Sequence, residues 1–426
     1  MKKKVDVSDL KRGMYVCELD RPWSKTSFFF QGFAITSEED IKALRRHCRY
    51  VYIKAEPKQG SAAHVPAWGA PTRRRLVADA PAGRKPDFRI LEKTPVHARP
   101  KRDYQHQTRL EDEVEAIREA HQQATTLIYT IMDDAHLGKR VDTATAKKLV
   151  ACMAKSVLRN PDALICFTQL KKKDEYTALH SLRVSILALA FGHHLGLEEE
   201  ELNLLGLGAL LHDIGKMRVP SAILYKPGNL TKREFEIMQR HIPAGVQILE
   251  RTQDIPSKAI EVAQLHHERY NGTGYMKQLK RDQISLFGLL GAIVDVYDAL
   301  TSDRVYQDGI SPLDALWKMY EWRVKDFHPA LVEQFIQCIG IFPIGSVVIL
   351  NTNEVGVVRT MNRAQRLKPE VVLVLKPDKT RYGALRAVDL ARETSSSGKP
   401  YEIKKTLPAG QYGIQPVHYL PVMARA

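Results

Sequence analysis

Long hydrophobic runs are missing from this 426-residue chain. No stretch of about eighteen apolar residues occurs, so no segment is expected to span a membrane. The opening MKKKVDVSDL has the charge of a secretory leader without the apolar core that should follow it. A cytoplasmic protein is the expectation. Cysteine is scarce as well. Cys17, Cys48, Cys152, Cys166 and Cys338 are scattered, odd in number and never spaced as CxxC. That pattern argues against a disulfide framework and against a zinc knuckle. No internal repeat shows at periods of roughly twenty to fifty residues.

What is present is an ordinary globular composition, 44% hydrophobic and 8% aromatic, with a formal charge of +15. At this length two or three domains are expected rather than one core. The charge is uneven, because residues 1–110 hold 24 Lys and Arg against 12 Asp and Glu, a surplus of 12. Such a surplus can attract nucleic acid, anionic lipid or an acidic protein. No aromatic-interleaved basic stripe or DNA-reading motif accompanies it, so direct nucleic-acid contact is not expected. A protein partner for the basic N-terminal region stays open, and so does a homodimer.

Four regions separate along the chain. Residues 1–54 mix strand-like runs (Met14-Tyr15-Val16, Phe28-Phe29-Phe30, Tyr50-Val51-Tyr52-Ile53) with one helix after Ser37, and read as a small α+β module. Residues 55–108, rich in Pro, Ala, Arg and Gly, read as a basic flexible linker. From 109 to 340 the pattern is helical. A long helix opens at Leu110-Glu111-Asp112-Glu113, Glu198–Glu201 place acids at a helix start, and Thr231-x-x-Glu234 forms a capping box. Residues 341–426 carry short β-type runs (Val347–Leu350, Val355–Val358, Val371–Leu375) and read as a β-rich extension. The fold class expected is mainly α, with a small α+β module before the helical region and a short β-rich region after it.

Seven chemistry-bearing side chains fall where apolar residues would otherwise stand. His180 shares a face with Val184 and Leu187; His212-Asp213 interrupts an apolar run; His241 follows Ile237 by four, just before Pro243, which should kink or end its helix. His266-His267 closes another helix, and Asp295 is flanked by Ile293, Val294 and Val296. A lone inward histidine is usually a hydrogen-bonded core residue. Five histidines and two aspartates together are different, because burying each without a partner costs a few kcal/mol. A shared metal centre satisfies them all. The donors are nitrogen and oxygen only, which suits iron, manganese or zinc. Adjacent His266 and His267, about 100° apart on a helix, should serve two neighbouring ions, with Asp213 as a bridge between them. Two ions about 3.5–4 Å apart stabilise both the attacking and the leaving oxygen of a phosphoryl displacement. Phosphoester hydrolysis is the chemistry expected.

The series His212-Asp213-Ile214-Gly215-Lys216, His241, His266-His267-Glu268-Arg269, Asn271-Gly272-Thr273-Gly274-Tyr275 and Asp295-Val296-Tyr297-Asp298-Ala299-Leu300-Thr301-Ser302 resembles the HD-GYP family. That family is a branch of the HD phosphohydrolases, all-helical enzymes of bacterial second-messenger signalling that linearise cyclic di-GMP. The resemblance covers residues 176–339. It implies metal-ligand roles for His180, His212, Asp213, His241, His266, His267 and Asp295, with two divalent ions, iron or manganese, as cofactors. It implies catalytic work for Asp213 and Lys216, and substrate contacts for Arg304, Tyr275, Lys216 and Asp298. Residues 1–54 resemble the small domain of unknown function that often precedes HD-GYP domains, through Leu10, Gly13-Met14-Tyr15-Val16, Trp23, Gln31-Gly32-Phe33 and Val51-Tyr52-Ile53.

Departures from the family pattern cluster at the substrate mouth. Gly-Tyr-Pro is Gly274-Tyr275-Met276 here, the usual loop Asp is Asn271, and Val305 and Gln307 replace a proline and a basic residue. Three-metal members carry a glutamate four residues before the first histidine, where this chain has Tyr176 with Glu175 one position off the face; hence the expectation of two ions. None of the changes touches an implied metal ligand. The implied activity is hydrolysis of cyclic di-GMP to linear pGpG, with GMP as a further product. Two alternatives stay open: a sensor that binds cyclic di-GMP with little turnover, and an HD-type hydrolase of another nucleotide. His193-His194 and His328 are read as solvent-facing or capping histidines.

Overall fold

The computed structural model describes residues 2–20, 33–35, 38–54, 107–139, 141–169, 176–226, 228–302, 309–362 and 365–423. Expectations resting on Trp23, Phe28–Phe30, Gln31-Gly32, Ser37, nearly all of the linker, Glu175, Arg304, Val305 and Gln307 lie outside these residues. Two compact units divide the chain, Met1–Pro66 and Ala67–Ala426.

In the first unit, β1 (Lys2–Asp6), β2 (Tyr15–Leu19), β3 (Phe33–Ala34) and β4 (Tyr50–Lys54) form an antiparallel sheet in the order β1-β4-β2-β3, with α1 (Glu38–His47) preceding β4. Val5, Val16, Leu19, Val51, Ile41 and Leu44 make its core. Arg45 donates to the carbonyls of Val7 and Ser8 at 3.1 and 3.2 Å, tying α1 to the turn after β1. The lysine-rich run at residues 2–4 gave no strand signal in the sequence, and β1 is a finding of the structure.

The second unit begins with α2 (Leu110–His136), α3 (Thr143–Arg159), α4 (Pro161–Phe167), α5 (Tyr176–His194) and α6 (Glu199–Leu211). A short 3-10 segment, Ile214–Arg218, follows His212-Asp213. Then come α7 (Ser221–Leu224), α8 (Lys232–Gln239), α9 (His241–Arg251), α10 (Ser257–Leu265), α11 (Leu286–Thr301), α12 (Pro312–Trp322) and α13 (Pro329–Ile339). Helix α5 is apolar nearly all round, and Leu182, Val184, Ile186, Leu189 and Phe191 are fully buried. Such a helix belongs in the middle of a bundle, and α3, α4, α6, α11 and α13 all pack against it. Each large apolar side chain buried this way contributes about 1.5–3 kcal/mol. Glu199–Glu201 occupy the first turn of α6, and Thr231 and Glu234 exchange both bonds of the capping box on α8.

His241 does not close a helix, as its spacing from Ile237 suggested. Helix α8 ends at Gln239, and His241 opens α9 with Pro243 in the first turn, where a missing N–H breaks no helical bond. This start lies against the 3-10 segment because Gly215 has no side chain. A Cβ there would overlap the His241 carbonyl oxygen and the Gly245 backbone more closely than any real Cβ approaches.

After α13, β5 (Val347–Leu350), β6 (Val355–Thr360), β7 (Glu370–Leu375) and β8 (Arg381–Asp389) run as an antiparallel meander, and β9 (Ile403–Leu407) returns beside β5. Val348, Leu350, Val358, Val371, Leu373 and Val388 pack with Ile341, Phe342, Tyr401 and Ile403. The C-terminal turns come back to the helices, where Arg118 of α2 donates to the Val422 carbonyl at 2.7 Å. Among the described residues, no helix is long and apolar enough to cross a membrane.

The Gly215 contact makes a prediction. Gly215→Ala should destabilise the protein by about 1–3 kcal/mol, the usual cost of overpacking, read as a lower midpoint in thermal or urea unfolding. Gly383→Ala, whose Cβ would meet nothing within 4 Å, should stay within about 0.5 kcal/mol of the parent. Equal midpoints for the two variants would show that the contact between Gly215 and α9 is slack.

Candidate metal centre

Three helix ends and two helix interiors deliver the seven side chains to one place. His180 lies one turn into α5 and Asp295 in the middle of α11; His212-Asp213 follow α6, His241 opens α9, and His266-His267 follow α10. All seven are buried, between 1% and 8% exposed. Helix ends suit this work because the chain can leave the helical path just where a side chain must turn inward.

Three of the histidines are oriented by carbonyls of the helix that precedes them. The Nδ1–H of His212 donates to the Ala209 carbonyl at 2.7 Å, that of His241 to Met238 at 2.7 Å, and that of His266 to Val262 and Ala263 at 3.0 and 3.1 Å. A carbonyl can only accept, so the proton sits on Nδ1 and the lone pair on Nε2. Among the described residues, the Nε2 atoms of His212, His241, His266 and His267 and the Oδ1 of Asp213 are buried without a hydrogen-bond partner. Buried polar atoms are otherwise nearly always paired. Four imidazole lone pairs and a carboxylate oxygen, all unpaired and all converging, are the donor set of a divalent metal site.

The donors fall into two groups that share one residue. Asp213, His241, His266 and His267 offer ligand atoms within 4.8 Å of one another, and so do His180, His212 and Asp213. The Asp213 carboxylate faces both ways. Its Oδ1 lies 3.5 Å from His241 Nε2 and 3.7 Å from His266 Nε2; its Oδ2 lies 3.3 Å from His212 Nε2 and 3.7 Å from His180 Nε2. Asp295 joins the second group, with Oδ1 3.0 Å from His180 Nε2 and 3.9 Å from His212 Nε2. The expected division of His266 and His267 between the groups is not found, since both stand with His241. Helix α10 ends at Leu265, and the 100° separation that holds within a helix does not govern the turn beyond it.

Electrostatics keep five of these donors in their ligating forms, while at His180 burial is outweighed by the hydrogen bonds to Asp295 and Asp298, which raise it. Burial pushes His241 down to about 4 and His266 down to about 3, and holds His267 well below the usual histidine range. All three are neutral at pH 7. Burial alone would raise Asp213, but the Lys216 ammonium and the His212 ring outweigh it and hold the carboxyl well below the usual carboxylate range. Asp295 is likewise held low, burial being overcome by its hydrogen bond to His180. Lys216, in the 3-10 segment one turn after Asp213, is 6% exposed and donates to Asp213 Oδ2.

Asp298, assigned to substrate by resemblance, stands elsewhere. It is 1% exposed and accepts from His180 Nδ1 at 2.7 Å and from Arg183 Nε and Nη2 at 2.8 and 3.0 Å. Its oxygens face these buried donors, so it holds His180 in place rather than meeting substrate. Arg183 was not singled out in the sequence; its one signal is a place one helical turn after His180. His328 caps α13 through Leu331 N at 3.4 Å, and His194 bonds Gln334 at 3.0 Å.

The profile of an HD domain matches residues 165–331, and that of a domain of unknown function, DUF3391, matches residues 2–146. The cyclic di-GMP phosphodiesterase PA4108 of Pseudomonas aeruginosa is 35% identical over 380 residues, covering 87% of this chain and 84% of that protein. The chain belongs to the HD-GYP family. A 3'3'-cGAMP-specific phosphodiesterase 2 of Vibrio cholerae is 34% identical over 45% of this chain and 35% of its own length. A cyclic di-GMP phosphodiesterase of Thermotoga maritima is 37% identical over 39% of this chain and 45% of its own length.

The HD-GYP loop of this chain is anchored from below. Glu268, 2% exposed, accepts from the amides of Lys277 at 2.7 Å and Leu279 at 3.0 Å. Gly274 lies so close to the backbone of 267–269 that a Cβ would overlap it. Tyr275 is therefore laid on His267, ring centroids 4.7 Å apart and 26° from parallel, with Phe235 at its edge. The Tyr275–Met276 peptide is cis, and Met276, in the place of the family's proline, is 47% exposed. Glu268 was quoted in the motif without a role, and the structure supplies one. Glu268→Ala should cost about 1–3 kcal/mol, because two amides lose their acceptor. Amide hydrogen exchange at Lys277 and Leu279 should quicken with it. Unchanged exchange at both would mean the loop is held by something else.

Proposed function

We propose that this HD-GYP phosphodiesterase hydrolyses cyclic di-GMP to linear pGpG, the same site being open to pGpG as a substrate for conversion to GMP. The observation that carries the reading is the Asp213 carboxylate, whose two oxygens face two separate groups of imidazoles while Lys216 bonds one of them. The fit supports two divalent ions, iron or manganese. His241, His266 and His267 would hold one and His180, His212 and Asp295 the other, with Asp213 shared. Bound there, the ions would supply an activated water at neutral pH and positive charge at the departing oxygen.

The chain's own residues do the rest. Asp213 fixes the spacing of the two ligand groups. Lys216 places an ammonium beside the shared carboxylate, where it can hold a phosphoryl oxygen and stabilise the charge that develops on it. Tyr275, stacked on His267, walls the mouth and offers a flat apolar face to a nucleobase. Arg304 is assigned to the dinucleotide phosphates by resemblance, as a guanidinium gripping two oxygens.

Relatives named for cyclic di-GMP and for 3'3'-cGAMP support cyclic dinucleotides as the substrate class. The rival reading, binding without turnover, draws on Met276 in the family's proline position. The complete ligand set opposes it, since a sensor has no need of seven metal-binding side chains.

The test is incubation of manganese- or ferrous-loaded protein with cyclic di-GMP, cyclic di-AMP and 3'3'-cGAMP, followed by chromatography of the products. Cyclic di-GMP should give pGpG fastest. Binding without a linear product would favour the sensor, and faster cleavage of another dinucleotide would displace the proposed substrate. Lys216→Met should lower kcat by about 100- to 1,000-fold, the usual cost of a lost charge-stabilising donor, with metal content unchanged. Asp213→Ala should strip both ions, and an Asp213→Ala protein that retains both would show that the carboxylate is not shared.

A further inference from the structure

Helix α5 carries, one turn beyond its metal-facing histidine, a buried arginine that the chemistry so far does not use. Arg183 is 4% exposed, and Nε and Nη2 of its guanidinium grip Asp298 Oδ1 and Oδ2 at 2.8 and 3.0 Å. The same Asp298 Oδ2 accepts from His180 Nδ1 at 2.7 Å and from the Ser302 hydroxyl at 3.3 Å. Arg183 Nη2 also donates to Ser302 Oγ at 3.3 Å. Oδ1 accepts one of these four bonds and Oδ2 the other three. Asp298 is thereby fixed in rotation as well as in place.

We propose that Arg183 is a positioning residue for the metal centre: acting through Asp298, it fixes which nitrogen of His180 carries the proton and where the other one points. The proposal rests on the reading of the seven residues as metal ligands. His180 differs from His212, His241 and His266, whose Nδ1–H groups find backbone carbonyls of the helix just before them. Its Nδ1 meets a side chain of α11 instead, and a free carboxylate could rotate and let the ring turn. The two-point grip of Arg183 removes that freedom, because a guanidinium meets a carboxylate in one plane along two parallel bonds. Metal-bound histidines commonly depend on such an acceptor for tautomer and ring orientation. A stabilising role alone does not account for the pair, since a buried ion pair typically contributes no more than apolar residues of the same volume.

The arrangement has a specific consequence for Asp298→Asn. Arg183 offers a donor to each oxygen, so whichever way the amide turns its nitrogen faces one of them and the two-point grip is lost. With its oxygen in the place of Oδ2 the amide still accepts from His180 Nδ1, but the side chain is no longer fixed and the ring is no longer held.

The experiment is manganese binding by the full chain, followed by calorimetry. The wild-type protein should bind in two classes. Asp298→Asn and Arg183→Met should each weaken one class by about 10- to 100-fold, as expected when an outer hydrogen-bond partner is lost, and leave the other unchanged. Arg183→Lys, which keeps the buried charge but not the two-point grip, should fall between wild type and Arg183→Met and carries the test if Arg183→Met does not fold. Wild-type binding in all three variants, or equal weakening of both classes, overturns the proposal. The readout does not involve hydrolysis. A wild-type protein that binds two manganese ions but yields no linear dinucleotide would fail the functional reading and leave the positioning role standing.

Discussion

Nitrogen lone pairs that point at one another across a dry interior are what the helical unit is built to tolerate. Leaving a polar group unpaired inside a protein costs a few kcal/mol. Four imidazole Nε2 atoms and one Asp213 oxygen meet that description together. Against a net stability of about 5–15 kcal/mol for a typical domain, so many uncompensated groups could not persist as ornaments. Divalent ions would remove the cost of all of them at once, and at His212, His241 and His266 the bond from Nδ1–H to a nearby carbonyl turns the lone pair, not the proton, inward.

The surrounding architecture follows from the need to bring short helix ends together. The apolar α5 and α11 form a fixed wall bearing His180 and Asp295, while α6, α9 and α10 contribute residues at their ends. Close approach of backbones makes this possible. At Gly215 the turn after His212-Asp213 lies directly against the start of α9, and at Gly274 the signature loop lies against the segment carrying His267. A methyl group at either place would push apart side chains that are gathered around Asp213.

Much of this was legible in the sequence, for a physical reason. His212-Asp213 breaks an apolar run and Asp295 sits inside another, so their burial, and with it their need for partners, could be read from their neighbours. The capping box at Thr231 and Glu234 was equally plain. What could not be read depends on where helices stop and which faces meet. The turn after Leu265 puts His266 and His267 on the same side, and a helical projection misplaces them. His241 opens a helix because α8 stops at Gln239. Asp298 proved to be a partner of His180 and Arg183 because of the way α5 faces α11, which no local spacing reveals. Strand β8 gave no signal because residues 383–387 are exposed on both faces and so lack alternation. The run at residues 2–4 forms a strand through pairing with β4, fifty residues away in the chain.

The account turns on one carboxylate serving two ions. Anomalous diffraction from crystals of the manganese-loaded protein locates the ions directly. Two peaks about 3.5–4 Å apart, one beside each Asp213 oxygen, are the expected result. A single peak, or peaks out of reach of Asp213, would contradict it.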